Sequence, residues 1–376
     1  MIDQVKHEYA HWTYVSGPTN QLHTWRPYME KIAESGLSQG RHFFIHCVNQ
    51  HPDYLIYQRF PWQMLAETCA SNRDKQIVVV LDSHTEGPSW THIRTTVDRM
   101  IAECGIDPSC IIQWTGSAGE GNEPFQLVTV IDAFSIITFA DMANPRPATH
   151  HFSMLARIPK RHRVLAAVEI LRRKLDDHGI ISCGSGDHGR QNTAVFDNDV
   201  PADLRSRFPL FLPGEEFNHL QTHEFTVNSI ISPMVTGSFC SVIPETTHDL
   251  MYPSVWTAFL TEKSEKCFLL EQVPIWIAAP GQAQLARDFK FDVFDDLIDH
   301  GYDAEPNPYR RIEMAIDQLE KLCAVDLDQL RSFKHANQAR FAANRDLCFD
   351  LRRNHTDLQY HKLVDCINRM HVPAVL

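Results

Sequence analysis

The chain has 376 residues, enough for two domains of ordinary size, and 43% of them are hydrophobic, so a sizeable core is within reach. Its 35 basic and 47 acidic residues leave a net charge of −12, which argues against a protein that coats nucleic acid. Ten scattered cysteines form no C-x-x-C pair, which excludes a zinc-cluster framework and favours reduced thiols in a cytoplasmic protein.

From the amino end, residues 1–12 are polar and show no signal-peptide core, and no apolar run approaches 18 residues. Phe43 to Val48 reads as a strand, and Gln76 to Leu81 as a stronger one, β-branched and apolar as a strand buried on both faces must be. A helix is expected over about 90–104, with Val97, Met100 and Ile101 on one face. Strands follow at 110–114 and 135–139. This alternation predicts a doubly wound parallel sheet. The proline-rich 144–147 reads as a linker. A second α/β unit follows: strand 151–155, a helix through Val164, Val168, Leu171 and Leu175, and strand 180–183. Residues 184–214 read as a long loop, 238–243 and 274–277 as strands, and 307 to the end as helical. The expected fold class is therefore α/β. It is expected as two Rossmann-like doubly wound domains facing a cleft, with C-terminal helices: 1–147, 148–320 and a helical extension over 321–376.

The stretch Thr261-Glu262-Lys263 opens a short helix that ends by Gln272. Thr261 suits the cap. Lys263 stands where the helix dipole repels a cation, a placement that makes sense if an anion lies between it and the helix end. Glu262 suits a ribose, accepting from its hydroxyls. A solvated face of Glu262, Lys263, Glu265 and Lys266 is the competing reading. Earlier, Arg157, Lys160, Arg161, His162 and Arg163 crowd one strand-to-helix connection, where like charges are costly without an anion. On the first domain, Asp82, His84 and Glu86 follow the strongest strand at its carboxyl end, with Gly87-Pro88 turning beside them. A carboxylate there can serve as a general base, Glu86 first and Asp82 second, or cap the helix over 90–104. His84 and His92 lack a third ligand at metal spacing. The glycine-rich 115–122 lacks both G-x-G-x-x-G and a P-loop lysine and reads as a cleft-lining loop. His219 and His223, followed by Glu224, do not have the H-E-x-x-H order.

Residues 258–281 resemble the donor-binding segment of the fucosyltransferase family, in which an aromatic-x-Thr-Glu-Lys box opens a helix before an apolar strand with Val-Pro and a Pro-Gly turn. "SVIPET" (241–246) and "FKFDVFDDLIDHGYD" (289–303) are similar to segments of related phage and viral glycosyltransferase-like proteins. The resemblance covers roughly 150–320. It implies a GT-B glycosyltransferase whose positive side chains replace a divalent metal at the departing diphosphate, with no cofactor. The donor-binding set it implies is Arg157, Arg161, Arg163, Glu245, Thr261, Glu262, Lys263 and Lys266. Arg163 best matches the family's diphosphate arginine, with Arg157 competing. The implied acceptor is a glycan or a hydroxymethylated pyrimidine of phage DNA, and a virus-encoded enzyme would act in the host cytoplasm. A sugar-nucleotide-binding protein without turnover is the other class the motifs allow.

Overall fold

A computed structural model describes residues 5–16, 22–47, 60–83, 90–115, 125–129, 145–156, 158–184, 186–187, 190–191, 198–210, 233–245, 248–250 and 258–370. The chain forms two compact units, Met1–Asp132 with Arg353–Leu376, and Ala133–Arg352.

The first unit is built on a six-stranded sheet in sequential order: β1 (Val5–Glu8), β2 (Trp12–Ser16), β3 (Arg41–Cys47), β4 (Gln76–Ser83), β5 (Ile111–Thr115) and β6 (Gln126–Thr129). β1 and β2 pair antiparallel and every later pair is parallel. The connecting helices are α1 (Leu22–Glu34), α2 (Trp62–Ser71) and α3 (Trp90–Cys104). Alternation sends Tyr14, Phe43, Ile45, Val78, Val80, Ile112 and Trp114 to one face, against Trp25, Tyr28, Met29 and Ile32 of α1. Phe44, Val79, Leu81 and Ile111 turn to the other, against Leu65, Ile93, Val97 and Met100. Burial on both faces explains the unbroken apolar run of β4. The expected strand at 135–139 lies outside the described residues.

The second unit has a four-stranded parallel sheet. Its strands are β7 (His150–Ala156), β8 (Gly179–Cys183), β11 (Ser238–Pro244) and β12 (Val273–Ile277), in spatial order β12-β11-β7-β8. A small antiparallel ribbon, β9 (Gly186–Asp187) with β10 (Arg190–Gln191), lies within the expected loop 184–214. The helices are α4 (Arg161–Arg172), α5 (Pro233–Thr236), α6 (Glu262–Leu269), α7 (Gln282–Asp288), α8 (Pro308–Cys323), α9 (Leu327–Ala336), α10 (Gln338–Arg353) and α11 (His355–Arg369). Phe152, Met154, Cys240, Val242, Val273 and Ile275 pack on α4 and α8 through Val164, Val168, Ile312, Ile316 and Leu319. The opposite face meets α6, where Phe268 lies edge-on to Trp276 at 6.4 Å. The chain steps outward from β7 to β8, then returns to the other side of β7 for β11 and β12. The direction of winding reverses between β7 and β11, and open α/β sheets bind ligands beyond the carboxyl ends of the strands at such a point.

Within 321–376, α9 and most of α10 belong to the second unit, whereas α11 joins the first. α11 carries Leu363, Cys366, Ile367 and Met370 on one face, and they enter the core with Trp25 and Trp114. Lys31 to Asp357 at 2.6 Å and Lys362 to the Thr129 carbonyl at 2.6 Å anchor it further.

Candidate functional site

The carboxyl end of β11 runs straight into Glu245, 1% exposed, and every hydrogen-bonding group of that residue reaches a different part of the fold. Its backbone N–H donates to the Ile277 carbonyl at the end of β12 (3.1 Å). Its carbonyl accepts from His162 Nε2 (2.8 Å) and Arg163 Nη2 (3.1 Å) in the first turn of α4. Its carboxylate accepts from Thr261 Oγ1 (2.5 Å), Thr261 N–H (3.4 Å), Ser264 Oγ (2.7 Å) and Gln282 Nε2 (3.5 Å). Burial pushes the carboxyl pKa up, while the charge of Lys263 and the two hydroxyls pull against it.

Thr261 caps α6 as its sequence position predicts. Its backbone is extended and its hydroxyl accepts the Lys263 N–H at 3.2 Å while donating to Glu245. The far end of the helix closes without glycine. Glu271 takes a left-handed φ of 54°, the Gln272 N–H returns to the Cys267 carbonyl and the Glu271 N–H to the Phe268 carbonyl. Arg345 and Gln338 of α10 hold the Glu271 carboxylate at 2.5 and 3.0 Å.

This fixed helix start places Lys263 and Lys266, neighbours at i, i+3, over the reversal point of the sheet. They line a shallow recess, open to solvent, with Ser153 and Leu155 of β7 and residues 241–244 of β11. Ser153 and Ser241 are in register across the β7–β11 pair, on the strand face that alternates away from the α4 and α8 core. Glu262 bonds Lys263 Nζ at 2.5 Å. Burial alone would raise the Glu262 carboxyl, but Lys263 beside it and Lys266 behind it hold it below the usual range. Burial and the neighbouring Lys263 charge bring the Lys266 ammonium down to about 8. Two ammonium groups and two hydroxyls on one recess suit a small, multiply charged oxyanion.

The basic connection before α4 is used differently along its length. Arg161 pairs with Asp199 (2.9 Å) and lies over the Tyr309 ring (5.5 Å). Arg163, 5% exposed, donates to the carbonyls of Ile158 (3.2 Å) and Glu245. Neither lines the recess. Arg157 lies outside the described residues. His162 stacks on His248, ring centroids 4.7 Å apart. His248 Nδ1 meets Asp249 at 2.8 Å, and Asp249 is also paired with the buried Arg311. Sequence reasoning passed over Ser153, Ser241, Ser264 and Gln282. The last three stand within or beside the quoted motifs, but nothing in their spacing marks them.

In the first unit Asp82 sits at the carboxyl end of β4, as expected, but is 0% exposed. It continues the row Val78, Val80 toward α1, and its carboxylate accepts from Trp25 Nε1 at 2.5 Å. Glu86 and His84 lie outside the described residues, as do 116–122 of the glycine-rich stretch and His219, His223 and Glu224. Among the described residues, no cluster of three or more His, Cys, Asp or Glu side chains has the geometry of a metal site, and no helix is long and apolar enough to cross a membrane.

No family model and no curated protein matches the chain. Solved structures resemble it along most of its length. The UDP-forming α,α-trehalose-phosphate synthase of Burkholderia vietnamiensis shares 12% identity at a TM-score of 0.46, covering 100% of this chain and 90% of that one. The corresponding Burkholderia xenovorans synthase shares 12% at 0.45, covering 97% and 90%. A point mutant of S. aureus TarM, solved with fondaparinux, α-GlcNAc-glycerol and UDP, shares 11% at 0.44, covering 91% of this chain and 58% of TarM. The assignment as two parallel α/β units rests on the two strand orders.

Proposed function

We propose that the chain is a glycosyltransferase that takes a nucleoside-diphosphate sugar, with the recess under Lys263 and Lys266 receiving the diphosphate. The observation that carries this reading is the pair of lysines held over two register-paired serines at the reversal point of a parallel sheet. The aromatic-x-Thr-Glu-Lys resemblance to fucosyltransferases supports it. Glu262, part-exposed beside Lys263, is proposed to accept from the ribose. As the sugar leaves, charge grows on the diphosphate, and preorganised ammonium groups stabilise that growth most, the task a divalent ion performs elsewhere. The acceptor is proposed as a glycan hydroxyl. The net charge of −12 weighs against a DNA backbone.

Glu86 is proposed as the base that takes the acceptor proton. Asp82 is the weaker choice, because its carboxylate is enclosed and bonded to Trp25. That enclosure also favours a second reading, a sugar-nucleotide-binding protein without turnover. Glu86→Gln separates the two. In an enzyme it keeps donor affinity and loses about 10²–10⁴-fold in turnover. In a binding protein neither variant nor parent transfers sugar to any acceptor. The primary test is a thermal-shift panel of nucleoside diphosphates and their sugars in EDTA. A true donor at 100 times its Kd adds about 2.7 kcal/mol to stability. A panel with no stabilising member contradicts both readings.

A further inference from the structure

Two clusters singled out in the sequence, the arginine-rich start of α4 and the Thr-Glu-Lys start of α6, meet on one residue. We propose that Glu245 is a positioning residue through which α4 sets the placement of Lys263 and Lys266, so that Arg163 and His162 govern anion binding without touching the anion. The inference rests on the recess being an anion site.

The geometry supports an indirect role at each step. Arg163 is enclosed, does not line the recess, and donates to two backbone carbonyls, one of them that of Glu245. His162 Nε2 faces the same carbonyl and must be the protonated nitrogen of a neutral ring, because a carbonyl only accepts. Burial, the stacked His248 and the Arg163 charge all keep that ring neutral. Two donors from adjacent residues therefore fix the peptide plane after Glu245. The same residue's N–H is fixed by β12. With both backbone groups held, the carboxylate has little freedom, and it grips α6 at the cap hydroxyl and one turn in, at Ser264. Ser264 is held in turn by Trp276 Nε1 at 2.9 Å. Lys263 and Lys266 flank Ser264 in sequence, so a shift of the first turn moves both ammonium groups together. A buried carboxylate costs several kcal/mol unless fully hydrogen-bonded, and an apolar side chain would fill this position at lower cost. What the carboxylate adds is a fixed register between β11 and α6.

Coupling through one residue leaves a signature that direct contacts lack. With inorganic pyrophosphate as the probe, titrated calorimetrically, Arg163→Ala and Glu245→Gln are each expected to weaken binding about tenfold. The double variant is expected to be little worse than either, where independent effects would multiply to about 100-fold. The salt dependence of binding should stay at the parent slope in Arg163→Ala and become shallower in Lys263→Ala, which removes a charge from the anion itself. Thr261→Ser, which keeps the hydroxyl on Glu245, should bind like the parent, and Thr261→Val like Glu245→Gln. This second pair keeps the test open if Glu245→Gln fails to fold. Multiplying effects, or a shallower salt slope in Arg163→Ala, would show Arg163 on the anion and overturn the inference while leaving the recess intact. Pyrophosphate binding that is absent in the parent, or indifferent to Lys263→Ala, would overturn the anion site and this inference with it.

Discussion

At the scale of single residues, the site is defined by which charged groups are already committed within the protein. Arg161 and Arg163 stand in one basic run of the sequence, yet one is a surface ion pair and the other, the resemblance's best match to a diphosphate arginine, is enclosed among carbonyls. Lys263 and Lys266 line the recess, Lys263 while paired with Glu262. Asp82 is committed as well. Removing its donor with Trp25→Phe strips a hydrogen bond from a buried carboxylate, and we expect a loss of roughly 1–3 kcal/mol in denaturant unfolding with nucleotide affinity unchanged. Equal stability of Trp25→Phe and the parent would mean that the bond contributes nothing. Composition could not separate these fates. A basic run shows that charge is concentrated, whereas burial and partners decide what the charge faces.

At the scale of elements, the strands legible in advance were those with a buried apolar stretch, most clearly β4, β11 and β12, whereas β1, β2 and β6 were not read. The structure places β3, β4, β5, β7, β11 and β12 within about two residues of the expected bounds. The start of α6 was legible from its capping threonine. Its end was harder to read, because the left-handed position carries Glu271 where glycine is usual. A non-glycine residue there costs about 1–2 kcal/mol, offset by the Arg345 ion pair. Glu271→Ala keeps the strain and loses the pair, so it should destabilise the protein by about 1–3 kcal/mol, read from the denaturant midpoint. Glu271→Gly relieves the strain and should fall between Ala and the parent. A midpoint for Ala equal to the parent would contradict this account of the helix end. The hub at Glu245 was beyond periodicity altogether, since its partners at 162, 163, 261, 264, 277 and 282 share no spacing.

At the scale of the whole molecule, the sequence read 307 to the end as helical without distinguishing α11, and the chain returns that helix to the first unit. Buried histidines give the molecule a pH-dependent stability. Burial lowers His42 and His46 to about 4, with the Lys75 charge adding to the effect at His42. The unfolded chain takes up these protons near 6.5 and the folded chain does not, so stability falls as pH drops from about 6.5 toward 4. Each contributes a loss of roughly 2 kcal/mol at pH 5. His42→Gln, which keeps an amide for the Thr13 hydroxyl, should flatten the slope of Tm against pH between 7 and 5. An unchanged slope would place the effect elsewhere.

The central claim is that the two lysines of α6 hold the diphosphate of a nucleotide donor. Its most direct measurement is calorimetric titration, in EDTA, of the nucleoside diphosphate that stabilises the protein most, into the parent and into Lys263→Ala. The account predicts a loss of about 1.5–3 kcal/mol in binding free energy with an unchanged Tm for the unliganded protein, the scale of a hydrogen bond to a charged group. Equal affinity in the two proteins would remove Lys263 from the site and contradict the account.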